Sequence, residues 1–134
     1  MKIIVCFDGS ENSKRALEKT MDLFKPLKPK LMLSMVSEIP SSFSADAIER
    51  GIAYDKKVFS EALELVKKQG MDVEPLFFEE RGDARHMIMN EIKSKSPDLV
   101  VFGKRGRGRL EEMIMGSVSS YFVRHAPCPV LVIH

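Results

Sequence analysis

Five short apolar runs punctuate this chain, and a stretch with helical spacing separates each run from the next. The runs are Ile3 to Phe7, Leu31 to Val36, Val73 to Phe78, Leu99 to Phe102 and Val130 to Ile133. A strand that is apolar at consecutive positions has to be covered on both faces, and strands joined by helical crossovers run parallel. The pattern therefore predicts an α/β fold, a five-stranded parallel sheet with helices on both faces. Pro75 removes a backbone donor from the third run, which confines that strand to an edge.

Between the runs, Ala16, Leu17, Thr20, Leu23 and Phe24 mark a first helix that ends at Pro26 and Pro29. Ala45, Ile48, Ile52, Phe59, Ala62, Leu63 and Val66 share one face of a long second helix. Gly51 costs that helix roughly 1 kcal/mol relative to alanine and marks a candidate break. Asp83 reads as the N-cap of a third helix carrying Met87, Ile88 and Ile92, and Ser117 as the cap of a fourth that runs to about His125.

With 134 residues, 44% of them apolar, the chain is expected to form one domain over residues 1–134. No apolar run approaches the ~20 residues that span a bilayer, and the first residues lack the apolar core of a signal peptide. A cytoplasmic location is expected, with no membrane partner. The two cysteines, Cys6 and Cys128, fall at opposite ends of a parallel sheet and read as structural thiols rather than a bridge. His86, His125 and His134 show no metal-ligand spacing, and the nine methionines read as core filling.

The formal charge is +2, yet residues 103–109 hold four basic residues and no acidic one, so the remainder would be −2. A protein that coats nucleic acid spreads lysine and arginine over a whole face. Here the basic excess is confined to Gly103-Lys104-Arg105-Gly106-Arg107-Gly108-Arg109.

That stretch matches neither common phosphate fingerprint. The P-loop pattern is absent, and a dinucleotide pattern starting at Gly106 would need glycine where Glu111 stands. What is present is Gly103, two residues, Gly106, nine residues, Gly116 and then Ser117. The first glycine ends a strand and the last opens a helix. Glycine lets backbone approach a ligand closely, and the amides of a first helical turn, Ser117 to Ser119, attract an anion. Among the arginines, Arg105 is the candidate phosphate contact, while Arg107 and Arg109 read as a solvated face.

The chain resembles the universal stress protein family, in which G-x2-G-x9-G-[ST] marks the ATP-binding members. The resemblance rests on "IIVCFDGSENSKRAL", "RGD", "PDLVVFGKRGRG" and "GSVSSYFVRHAPCPVLVI", and it covers nearly the whole chain. It implies a doubly wound, adenine nucleotide alpha hydrolase-like sheet of strand order 3-2-1-4-5. It also implies roles for individual residues. Asp8 would contact the ribose, and Cys6, Phe7 and Val36 would line the adenine side. Phe102 and Gly103 would flank the nucleoside, and Gly106, Gly116, Ser117, Val118 and Ser119 would hold the phosphates, which carry Mg²⁺.

Three functions stand at this point. The first is a non-catalytic ATP-binding stress-response module whose occupancy a protein partner reads. It would work as a homodimer, because an apolar final strand, Val130 to Ile133, at a sheet edge would pair with its own copy. The second is a slow ATP hydrolase or transferase of the same fold, for which no catalytic constellation is visible. The third is a nucleic-acid contact through the basic glycine loop.

Overall fold

The computed structural model describes residues 1–104 and 115–134. In chain order the elements are β1 (Lys2–Cys6), α1 (Glu11–Phe24), a 3-10 turn (Lys25–Leu27), β2 (Lys30–Glu38) and α2 (Ala45–Lys68). There follow β3 (Val73–Glu80), α3 (Ala84–Lys95), β4 (Leu99–Gly103), α4 (Ser117–His125) and β5 (Val130–Ile133). The five strands form one sheet in the order β3-β2-β1-β4-β5, and every pairing is parallel. Pro75 lies in edge strand β3, in register with Leu33.

Period-two alternation divides the strand residues between two cores. Ile3, Val5 and Phe7 of the first run, Leu31, Leu33 and Met35 of β2, and Val101 of β4 face one side. There they pack on Ala16, Leu17 and Met21 of α1 and on Phe59, Ala62 and Val66 of α2. Ile4, Cys6, Met32, Val100 and Phe102 face the other side, under Ala84, Ile88 and Ile92 of α3 and Phe122 of α4. Each fully buried aliphatic side chain contributes about 1.5–3 kcal/mol relative to exposure. The double-sided burial is why the apolar runs are continuous.

Two expectations about helices need correction. α2 runs from Ala45 to Lys68 without a break at Gly51. Gly51 is exposed, and a Cβ built there meets nothing within 4 Å. Continuous backbone hydrogen bonding and the apolar stripe on either side outweigh one unfavourable residue. The N-cap of α4 is Gly116, with Ser117 as the first helical residue. Among the described residues, no helix is long and apolar enough to cross a membrane.

The open surroundings of Gly51 give a direct test. Gly51→Ala should raise stability by roughly 0.5–1 kcal/mol, through helix propensity and a less flexible unfolded chain. A urea titration would show it as a higher midpoint with an unchanged slope.

Candidate functional site

β1 lies between β2 and β4. The chain leaves β1 into α1 on one face and leaves β4 into α4 on the other. At the carboxyl ends of these two strands the crossovers therefore depart in opposite directions and open a crevice, the place where open α/β sheets hold ligands. One wall is the turn from Asp8 to Ser13, and the other begins at Lys104 and continues at Gly116.

The first wall is locked by its own polar groups. Gly9 adopts φ 83°, a conformation that costs other residues strain. Asp8 Oδ1 accepts the Ser10 N–H at 2.9 Å, while the Asp8 N–H donates to Ser13 Oγ at 3.3 Å. Ser10 caps α1 by accepting the Ser13 N–H at 3.2 Å, and the Ser13 hydroxyl donates to the Ser10 carbonyl at 2.9 Å. One oxygen of the half-buried Asp8 carboxylate is thus engaged in setting the turn.

Gly103 links the two walls. A Cβ at this position would stand 2.7 Å from both the carbonyl carbon and oxygen of Asn12, and 3.0 Å from the Ser13 nitrogen. The missing side chain is what allows the first turn of α1 to abut the end of β4. Sequence reasoning recognised a glycine that something approaches closely. It had no means of seeing that the approaching group is the protein's own backbone, since Asn12 is 91 residues away along the chain.

The second wall ends in the α4 N-terminus. Gly116, at φ −69° and ψ 161°, caps it without a side-chain hydrogen bond. The Gly116 N–H donates to the Lys104 carbonyl at 2.7 Å, and the Lys104 N–H donates to Ile133 at 2.7 Å. Ser117 is exposed, Val118 is half-buried and Ser119 is buried. Among the described residues no side chain bonds to it as a cap, and this first turn presents the partial positive charge of a helix start to the crevice. The Ser119 hydroxyl already lies within hydrogen-bond distance of the carbonyls of Lys104 and Gly116. Arg105 and Gly106 lie outside the described residues, as do Arg107 and Arg109.

The residues expected on the nucleoside side divide between the faces. Cys6 and Phe102 belong to the α3/α4 core, and half-buried Val36 packs against it. Phe7 turns to the α1/α2 core, and its N–H donates to the Ser34 carbonyl at 2.8 Å. The Phe102 ring stacks on Phe122 at 5.0 Å and is 4% exposed, so what it can offer the crevice is backbone. Burial pushes the Cys6 thiol well above its ordinary pKa, with smaller contributions from Asp8 and Cys128. A thiol held neutral in this way is no nucleophile. Cys128 is also free, but it packs against the same α3/α4 core as Cys6. The two thiols thus share one face of the sheet, closer than the strand ends alone implied.

Two polar assemblies each hold one contact that escaped the sequence reading, Ser37 with Asp55 and Arg85 with Tyr121, because each joins residues far apart in the chain. Buried Asp55 of α2 accepts the Ser37 hydroxyl of β2 at 2.7 Å. Asp83 caps α3 through the Arg85 N–H at 3.0 Å and also binds the Arg85 side chain, whose guanidinium lies 5.2 Å over the Tyr121 ring of α4. Arg85 accordingly holds the Asp83 carboxyl below the usual carboxylate range. The second assembly ties α3 to α4. Among the described residues, no cluster of three or more histidine, cysteine or carboxylate side chains is placed to hold a metal.

The universal stress protein family model matches residues 1–134. Universal stress protein YxiE of Bacillus subtilis is 29% identical over an alignment 147 positions long, which covers 98% of this chain and 97% of the relative. The solved structure of universal stress protein UspA from Lactobacillus plantarum superposes with a TM-score of 0.87 at 22% identity, covering 100% of this chain and 97% of the other. A universal stress protein family structure from Arabidopsis thaliana, with AMP bound, superposes with a TM-score of 0.69 at 26% identity, covering 99% and 90%.

Gly103→Ala should destabilise the ligand-free protein by about 1–3 kcal/mol, the usual cost of forcing extra atoms into a packed site. Equal urea midpoints for the two proteins would remove Asn12 as the reason for this glycine. For Cys6, the raised thiol pKa sets the sign of a pH effect. Its contribution to stability is complete below the ordinary thiol pKa and falls as pH rises above it toward the higher folded value. Melting temperatures between pH 8 and 11 should decline more steeply for the native protein than for Cys6→Ala.

Proposed function

The chain belongs to the universal stress protein family, and from that premise we propose that it is an ATP-binding stress-response module whose occupancy is read by a protein partner. The observation that carries the reading is the α4 N-terminus, which no side chain among the described residues caps and which opens on the crevice between β1 and β4. Its amides and dipole suit a phosphate group. The AMP found in the Arabidopsis relative agrees with an adenine nucleotide as the ligand class.

In this reading Gly106, Gly116 and the backbone amides of Ser117, Val118 and Ser119 hold the phosphates. Arg105 adds a charge-assisted hydrogen bond, and Mg²⁺ travels with the phosphates rather than on protein ligands. Asp8, whose Oδ1 shapes the turn, contacts the ribose. Cys6, Phe7 and Val36 form the adenine side, and the backbone of Phe102 and Gly103 flanks the nucleoside. The protein works in the cytoplasm as a homodimer, through the outer edge of β5, whose residues Val130 to Ile133 are each only half-buried. Binding energy acts by mass action: about 2.7 kcal/mol of added stability at a nucleotide concentration 100 times Kd.

Isothermal titration with ATP and Mg²⁺ tests the reading, and the expected results are a one-site isotherm and a raised melting temperature. Gly116→Val separates ligand contact from folding, because φ −69° is open to any L-residue. The variant should keep most of its stability and lose at least about tenfold in affinity, equivalent to roughly 1.4 kcal/mol of phosphate contact. Absence of heat and of any melting shift at millimolar nucleotide would defeat the proposal.

A further inference from the structure

Ser119 is the third residue of α4 and is 3% exposed. Its hydroxyl oxygen stands 3.1 Å from the Gly116 carbonyl and 3.2 Å from the Lys104 carbonyl. A bond from serine back into its own helix is common and local. The Lys104 contact differs in kind, because it reaches the end of β4, fifteen positions earlier in the chain. The same carbonyl accepts the Gly116 N–H at 2.7 Å. The N–H of Lys104 in turn donates to the Ile133 carbonyl at 2.7 Å, at the last residue of edge strand β5. One residue's backbone therefore joins the start of α4 on one side to β5 on the other.

We propose that Ser119 is a positioning residue of the nucleotide site, its hydroxyl clasping the α4 N-terminus to Lys104, and that Lys104 links the state of this clasp to edge strand β5. The inference rests on the nucleotide reading above and adds a route by which occupancy reaches a surface. The single Ser119 hydroxyl proton already has two carbonyl acceptors at 3.1 and 3.2 Å, so a phosphate oxygen could use it only by displacing them. The hydroxyl thus serves the fold of the site, and only the Ser119 backbone amide is left for the ligand. Coupling of this kind is reciprocal: whatever orders β5 tightens the nucleotide, and the nucleotide orders β5.

Single-residue amide exchange, followed by NMR on the full chain, reads the clasp directly. The Gly116 amide reports its bond to Lys104, and the Lys104 amide reports its bond to Ile133. In the nucleotide-free protein, Ser119→Ala should speed exchange at both amides by about three- to tenfold, the worth of one net hydrogen bond. Ser119→Thr, which restores a hydroxyl, should return both rates to those of the wild type. Saturating ATP and Mg²⁺ should slow the Lys104 amide in the wild type and in Ser119→Thr, but not in Ser119→Ala. Affinity in Ser119→Ala should fall by about three- to tenfold, by the same reasoning. Unchanged exchange and affinity in Ser119→Ala would overturn the clasp. A wild-type Lys104 amide indifferent to bound nucleotide would overturn the link to β5. Failure of the wild type to bind nucleotide would overturn the functional reading instead, while the nucleotide-free exchange rates would still judge the clasp.

Discussion

The arrangement depends on β1 being hydrogen-bonded on both sides, to β2 in register Lys2–Cys6 with Lys30–Ser34 and to β4 in register Ile3–Val5 with Leu99–Val101. A parallel strand paired at both edges and covered on both faces can exchange none of its neighbours. The right-handed crossovers then place α1 and α2 on one face and α3 and α4 on the other. The crevice beyond β1 and β4 follows from that division without any further device. It also explains why two helix starts, those of α1 and α4, flank the same opening.

The two helix starts are managed differently. The α1 start is satisfied by Ser10 and Ser13, with Asp8 shaping the turn before it. The α4 start has a glycine cap and, among the described residues, no side-chain cap. A buried helix end without partners would be costly, whereas one that faces a crevice can be served by solvent or by a ligand. The glycine motif likewise carries two kinds of demand. Gly103 answers a packing demand, the approach of Asn12, while Gly116 has backbone angles open to any residue, so conformation is not what it contributes.

Much of this was readable beforehand. The five strands, the edge position of Pro75, the cap at Asp83 and the two-sided core all come from local spacing and from single-residue chemistry. The boundaries that shifted did so for local reasons. β2 and β3 run on to Glu38 and Glu80, past the apolar runs, because Leu31–Glu38 pairs residue by residue with Val73–Glu80. The cap of α4 moved one residue, to a glycine that could be recognised as a helix opener but not told apart from its serine neighbour.

By itself, then, the sequence determined the alternation of elements, the sharing of apolar residues between two faces, and the glycine spacing that joins a strand end to a helix start. These are properties of period and of backbone freedom, and both are written residue by residue. Tertiary structure alone decided which atoms crowd Gly103, why the Ser119 hydroxyl is engaged, and how Ser37 meets Asp55 and Arg85 meets Tyr121. Each of the latter joins residues brought together only when the sheet closes, and no spacing along the chain encodes a distance across it.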